Sequence, residues 1–391
     1  MSRPGFSPAP RDERPEVTIG MLGYGFMAKA HSNAFRTHPY IFWPGGCRPR
    51  LGTICGRTES AVAEAATRYG FADYTTEWER LAADERVDVF DNVAPDGLHV
   101  EPTLAAIAAG KHVICEKPLA SSAADAERLL DAAEEAGVKH MTCFNYRFMP
   151  AVRLARQLIR GGEIGEVHQA RFRYSQEWRT DAEAPLPSPA GSLSIIGCHA
   201  IDQARFLIGE ILSVTGRLAS PVTTPQRLYR GEAVEQDDAV AVLAELEGGA
   251  VATIDASLVS PGRKNMLAWE VSGSNGSVAW NLEQLNELRV HRRGATRTEG
   301  FTDVNVTEAD HELAAPWWPS AHILGWEHGH VNMLSHFLQA VVEDGEIGPE
   351  AATFADGLQA ARIAEAIRRS AESGAWESVA QDASKSVGRA A

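Results

Sequence analysis

The chain has little of what would tie it to nucleic acid, to a membrane or to an oxidising compartment. Basic residues are outnumbered: 37 Lys and Arg against 52 Asp and Glu leave a formal charge of −15. Binding a phosphate backbone requires clustered Lys and Arg, so nucleic acid is excluded as a partner. No apolar run approaches the ~18 residues of a membrane helix. The lead MSRPGFSPAPRDERPE carries Pro and charge without an apolar core, which speaks against a signal peptide or anchor. The expectation is therefore a cytoplasmic protein with no membrane partner. Five cysteines (Cys47, Cys55, Cys115, Cys143 and Cys198) form no C-x-x-C pair and no metal spacing, and several lie in apolar runs such as HVICE. Buried, reduced thiols are expected.

What is present is enough apolar sequence, 44% of 391 residues, for more than one core. Residues 1–15 read as a disordered lead. From Glu16 the chain runs VTIGML, a Gly-rich turn and a helix, then RLGTICG, ESAVAEAATRYG, VDVFDNVA, TLAAIAAG and HVICEKP. Ser122 with Asp125 fits a capping box, Gly137 a helix stop, and HMTCFN a further strand. Strands alternating with helices at this spacing predict a doubly wound parallel sheet, a Rossmann domain over 16–145. After the helix PAVRLARQLIRGG the period changes to two: EVHQARFRYSQEW, ILSVTGRLA, AVAVLAELEG, AVATIDASLV, LAWEVSG, SVAWN and ELRVHR, with turns at Glu247-Gly248-Gly249 and Asn275-Gly276. That predicts an α+β domain over 146–391 on a large open, mostly antiparallel sheet, closed by helices at about 329–343 and 352–373.

Gly23-Tyr24-Gly25-Phe26-Met27-Ala28 is a G-x-G-x-x-A turn between an apolar strand and a helix. Gly23 would make the tight turn, Gly25 would admit a pyrophosphate, and Ala28 would allow close helix–strand packing. The N–H groups of Phe26 and Met27 lie at the helix start. The end of the second strand holds Cys55-Gly56-Arg57-Thr58 and no carboxylate for the ribose hydroxyls. Arg57 can hold a 2′-phosphate by charge-assisted bonds or stack on the adenine. The cofactor is read as NAD(P), with NADP modestly favoured.

Glu116-Lys117-Pro118 ends a predicted parallel strand, where doubly wound folds place ligands. A Lys there can hydrogen-bond a reacting oxygen and steady an alkoxide. The fingerprint, this Glu-Lys-Pro, Asn145-Tyr146-Arg147 and Gly191…His199-Ala-Ile-Asp202 together resemble the Gfo/Idh/MocA oxidoreductases from about residue 16 onward. Within that family GFMAKAHS, Ile41-Phe42-Trp43-Pro44, FNYR and the run Tyr174–Trp178 resemble the levoglucosan-type sugar dehydrogenases.

The resemblance implies NAD(P)-dependent hydride transfer on a sugar, anhydrosugar or cyclitol hydroxyl or keto group. Lys117 and His199 are then the catalytic pair, and Pro118 follows a cis bond. Pro95, His99 and Glu116 join Gly23, Gly25, Phe26, Met27, Ala28, Arg57 and Lys117 around the cofactor. Tyr146, Arg147 and Trp178 join Lys117 and His199 around the substrate. Ile195 stands where the family carries an Asp, which would leave a protonated His199 short of one stabilising charge, and the 183–190 loop is short. These departures support a rival reading, a nucleotide-binding paralogue with weak or no catalysis serving as a regulatory or partner subunit. Glu327, His328 and His330 are spaced poorly for a metal, so none is expected. A homo-oligomer, dimer or tetramer, is expected, with Val271, Val278 and Trp280 on the exposed sheet face.

Overall fold

The computed structural model describes residues 12–181, 190–221, 228–229, 232–233, 236–294 and 299–380. The first part alternates strand and helix as the sequence predicts. β1 (Glu16–Leu22), α1 (Phe26–Ile41), β2 (Arg48–Cys55), α2 (Glu59–Tyr69), β3 (Asp73–Thr75), α3 (Trp78–Ala83), β4 (Val89–Asn92), α4 (Val100–Ala108), β5 (His112–Cys115), α5 (Ala123–Ala136) and β6 (His140–Thr142) follow in order. The strands form one parallel sheet in the order β3-β2-β1-β4-β5-β6. The reversal at β1 and β4 opens a crevice at the strands' C-terminal ends, where both the Gly-rich turn and Lys117 emerge. β3 and α3 are too short for a periodic signal and go unseen in the sequence. Ser122 caps α5 through the Asp125 N–H, and Gly137 closes it in the left-handed conformation.

The second part comprises α6 (Pro150–Arg160), β7 (Val167–Ser175), α7 (Cys198–Leu207), β8 (Ile211–Ala219), β9 (Leu228–Tyr229), β10 (Glu232–Ala233), β11 (Ala239–Leu246), β12 (Val251–Ser257), β13 (Met266–Gly273), β14 (Gly276–Asn281), β15 (Glu287–Arg292) and β16 (Thr302–Asn305). α8 (Trp326–Glu343), α9 (Phe354–Ser373) and β17 (Glu377–Ser378) complete it. Nine strands form one sheet, β16-β15-β14-β13-β7-β12-β11-β8-β17, in which β7 and β12 pair in parallel and the other pairs are antiparallel.

Period-two alternation decides which side chains meet the helices. Val240, Val242, Ala244, Phe172 and Ile254 point inward, while Arg171, Arg173, Leu243 and Val251 point outward. Here one expectation is corrected: Val271 (0% exposed), Val278 (0%) and Trp280 (3%) lie on the inner face. The outer face instead carries ion pairs, Arg173–Asp255, Arg171–Glu270 and Arg289–Asp303.

The lead is also revised in part. Residues 1–11 lie outside the described ones, but Asp12 pairs with Arg14, whose guanidinium stacks on Trp43 at 4.6 Å. α8 does not stay with the second sheet. Val331, Leu334, Phe337 and Leu338 pack into the core formed by α1, β1 and β2. All five cysteines are free and buried.

Candidate active site

β1 delivers Gly23 at φ 109°, and a Cβ there would lie 2.7 Å from the Val93 carbonyl oxygen, so only glycine fits. Gly25 caps α1, and a Cβ built on it meets nothing within 4 Å. That open space faces the first turn of α1, where the N–H groups of Phe26, Met27 and Ala28 lack intrahelical partners and the dipole is positive. The residues therefore fit a dinucleotide pyrophosphate. Ala28 is fully buried and sets the close helix–strand contact. Phe26 is exposed and stacks on Trp326 at 5.5 Å, bridging the Gly-rich turn to α8. Arg57 is exposed just beyond β2, beside Gly56, whose missing side chain makes room for the Tyr24 ring.

Lys117 follows β5, and its bond to Pro118 is cis, as the resemblance implies. Its Nζ donates to the Ile195 carbonyl oxygen at 3.1 Å. Leu193–Gly197 form a π-helical turn running directly into α7. The wider turn carries Ile195 to Lys117, so the partner at this position is a backbone carbonyl in place of a carboxylate. Burial lowers the Lys117 pKa, but Cys198, Glu116 and Asp96 more than offset it, and the net shift is upward. The ammonium stays charged.

His199, on α7, is 6% exposed. Its Nδ1 is buried with no hydrogen-bond partner among the described residues. The rings of Tyr146 (4.9 Å), Tyr174 (5.8 Å) and Phe144 (5.8 Å) surround it. Burial, reinforced by the Lys117 charge, pushes His199 well below the ordinary imidazole value. It is a neutral base at pH 7, in the direction Ile195 suggested, although the main cause is desolvation.

A ladder of polar contacts continues outward. Tyr146 Oη and Tyr174 Oη lie 2.8 Å apart, and Tyr174 Oη donates to Asn265 Oδ1 at 2.8 Å. Gln176 Nε2 donates to the same oxygen at 2.6 Å, and Trp178 Nε1 to Gln176 Oε1 at 2.6 Å. Trp326 Nε1 approaches Tyr146 Oη at 3.4 Å. Tyr146 and Trp178 thus occupy one connected wall. Trp326 and Asn265 are additions: neither stands in a recognisable motif, and only the folding of α8 and the loop before β13 brings them in.

Three residues expected beside the ligands have their polar groups engaged by the protein itself. Arg147 is buried against Asp202, with Nε 3.0 Å from both carboxylate oxygens and Nη2 2.5 Å from Oδ1, and Asp356 lies 3.3 Å away. With its charge compensated there, it is a structural pair beneath the site. His99 is fully buried with Nδ1 2.8 Å from the Pro118 carbonyl oxygen and Nε2 2.9 Å from that of Ala94, so neither nitrogen is left for a cofactor. It fastens the loop after Pro95, itself exposed, to the Lys117-Pro118 turn. Glu116 is 5% exposed and turns away from the crevice, one oxygen against His31 and the other accepting from Lys117 N–H. The 183–190 loop lies almost wholly outside the described residues, with Ala190 alone inside them. What precedes the π-turn is fixed from elsewhere: Asp237 accepts from Ser192 Oγ and from Leu193 N–H, and sits where any Gly191 side chain would be.

Residues 17–144 match the model of the oxidoreductase family with an NAD-binding Rossmann fold, and 152–279 match the Gfo/Idh/MocA C-terminal domain. Levoglucosan dehydrogenase from Pseudarthrobacter phenanthrenivorans is 35% identical over 93% of this chain and 98% of its own. The chain belongs to the Gfo/Idh/MocA oxidoreductase family. A solved structure of levoglucosan dehydrogenase with NADH and levoglucosan superposes at a TM-score of 0.90, covering 94% of this chain and all of that one. An oxidoreductase domain protein from Kribbella flavida gives 0.89 at 37% identity and the same coverage. Inositol 2-dehydrogenase from Rhizobium meliloti is 27% identical over 90% of this chain and 96% of its own. This Gfo/Idh/MocA member thus carries the Rossmann domain and open-sheet domain of its family.

Proposed function

We propose that this enzyme transfers a hydride between NAD(P) and a secondary hydroxyl or keto group of a sugar, anhydrosugar or cyclitol. The observation that carries the reading is the meeting, at the switch point of the parallel sheet, of a charged Lys117 with a buried, neutral His199 whose Nδ1 is unpartnered. When bound, the nicotinamide accepts or supplies the hydride. Gly23, Gly25, Phe26, Met27 and Ala28 would hold the pyrophosphate, with Pro95 near the nicotinamide end. Lys117 would hydrogen-bond the reacting oxygen and stabilise alkoxide character there. His199 would take the hydroxyl proton in oxidation and return it in reduction. Tyr146 and Trp178, with Tyr174, Asn265 and Trp326, would orient the ring hydroxyls.

Arg57 supports a modest preference for NADP, since it is exposed just after β2, whose end offers no carboxylate to the ribose hydroxyls. The division proposed is 16–145 for the cofactor and 146–391 for substrate and oligomerisation, with α8 of the second unit seated on the first. The working compartment is proposed to be the cytoplasm. A homodimer or tetramer is proposed through the outer sheet face, where Leu243 and Val251, 45% and 43% exposed, interrupt the ion pairs. Against Ile195 and the short 183–190 loop, the presence of both Lys117 and His199 favours the enzyme over the non-catalytic rival.

The test is purified protein with NAD⁺ and NADP⁺ against sugars, cyclitols and anhydrosugars, followed by absorbance of the reduced cofactor. Turnover is expected on at least one polyol ring, and Lys117→Met should lower kcat with little change in cofactor binding. A Lys117→Met variant with parental turnover overturns the mechanism.

A further inference from the structure

Beneath Lys117 lie charged groups that the chemistry above does not use. His31, on the inner face of α1, is 0% exposed. Its Nδ1 is 3.1 and 3.0 Å from the two carboxylate oxygens of Asp91 on β4. Its Nε2 is 3.3 Å from Glu116 Oε1, an ion-pair contact without the alignment of a full hydrogen bond. Glu116 Oε2 accepts from the Lys117 N–H at 3.1 Å. Asp91, His31, Glu116 and Lys117 therefore form a row in which negative and positive charge alternate.

We propose that His31 and Asp91 are positioning residues for Lys117, acting through Glu116 to supply the buried counter-charge that keeps its ammonium ionised and directed at the crevice. The inference rests on the reading of Lys117 as the group that touches the reacting oxygen.

The physical argument concerns a carboxylate out of water. Burial alone would protonate Glu116. Beside His31 its carboxyl is nonetheless held down at about 2, the imidazolium outweighing desolvation. His31 is held well above its ordinary value because Asp91 overcomes the burial that opposes it. The Asp91–His31 contact thus keeps its proton across the neutral range. Two further groups face His31. Cys143 is a thiol pushed up to about 12 by burial, and His330, 5.7 Å away ring to ring, is pushed down to about 3 by burial and the charge on His31.

Lys117 is faced by Glu116, Asp96, Cys198, Tyr146 and His199. Cys198 is pushed up to about 12 and Tyr146 upward, both chiefly by burial, and His199 is neutral. Asp96 sits on a half-buried loop. Of the two carboxylates that face Lys117, Glu116 is the more deeply buried. Burial raises the Asp91 carboxyl even with His31 beside it. Without the charge on His31, Glu116 would lose the main influence that holds its own carboxyl down, so burial would raise it too and it would carry less negative charge toward Lys117. Lys117 would then lose its balance, and its pKa would fall.

The experiment uses the full chain with His31→Gln and Asp91→Asn. Ionisation of Lys117 is read directly by competitive acetic anhydride labelling against pH, with its peptide quantified by mass spectrometry. The pH profile of kcat/KM and NADH binding by fluorescence accompany it. Both variants should move the Lys117 labelling midpoint and the alkaline limb down together by about one unit or more, with NADH still bound. Glu116→Gln should do the same and Glu116→Asp should stay near the parent, whereas a purely structural role would lower melting temperature and leave the midpoint unmoved. An unchanged midpoint in folded Asp91→Asn overturns the proposal even if His31→Gln does not fold. His31, Glu116 and Cys143 also bring ligand atoms within 4.8 Å of one another. Stoichiometric metal lost on His31→Gln would likewise overturn it, because a cation would then supply the charge. Should Lys117→Met keep full turnover while the midpoint still shifts, the catalytic reading fails and the charge row stands.

Discussion

Arg147 and Tyr146 are adjacent in the chain and end in opposite roles. Tyr146 turns its hydroxyl to Tyr174, while Arg147 turns to Asp202 and Asp356 and stacks over Phe206 at 4.8 Å. Removing one partner of such a buried pair leaves an uncompensated charge, which typically costs about 3–5 kcal/mol. Arg147→Met should therefore lower the denaturation midpoint strongly, whereas Tyr146→Phe should leave stability nearly intact and raise KM for the polyol. Denaturant titration beside steady-state kinetics separates the two. His199 should give a kcat/KM profile that stays flat through pH 6.5, its acid limb falling below the ordinary imidazole range because burial and Lys117 depress its pKa. A limb at 6.5 or above that vanishes in His199→Asn would contradict the buried, neutral imidazole. Arg57→Ala should weaken NADPH about tenfold or more and NADH little, if its contact is a charge-assisted phosphate bond. Equal losses would mean that it stacks or packs.

At the scale of elements, two glycines of one turn should behave differently. Gly23→Ala places a side chain at positive φ against the Val93 backbone and should destabilise the fold. Gly25→Val projects into open space, so the apo protein should melt near the parental temperature while dinucleotide binding is lost. Tight NADH binding by Gly25→Val would refute the fingerprint. The π-helical turn at Leu193–Gly197 is the element least visible in the sequence. The family resemblance implies that Ile195 stands in place of a carboxylate, and a regular helix would put 195, 199 and 202 on one face. The wider turn, tied down by Asp237 and leading straight into α7, presents the Ile195 carbonyl to Lys117 instead.

For the whole molecule, the nine-stranded sheet and α8 matter most. Light scattering at micromolar concentration should give a dimer or tetramer, and Leu243→Lys with Val251→Lys should shift it toward monomer if the outer face is the contact. A monomeric parent would exclude that proposal. Acid should destabilise the protein early. Burial holds His38 and His140 down to about 4 and His330 to about 3, whereas the unfolded chain protonates them near 6.5. Their folded-state values are depressed, so the stability they contribute is full above 6.5 and declines as pH falls from there toward 4. Melting temperature should drop over that window. His140→Asn should reduce the drop, since its side-chain oxygen can take the place of Nδ1 and accept from the Phe354 N–H without taking up a proton.

The sequence by itself determined the alternation of strand and helix to residue 142 apart from β3 and α3, the Gly-rich turn, the capped α5 and the position of Lys117. Each depends on neighbours within a few residues, through periodicity, φ preference or capping. It pointed to Lys117 and His199 as a pair only through the family pattern, since they stand 82 positions apart. Tertiary structure decided which side of the open sheet is apolar, because a period of two shows that faces differ but not which one the helices cover. It decided that α8 returns to α1, that Trp326 joins the site, and that Arg147, His99 and Glu116 spend their polar groups on protein. Those outcomes depend on atoms brought within about 3 Å from distant parts of the chain, and no local pattern records such a meeting.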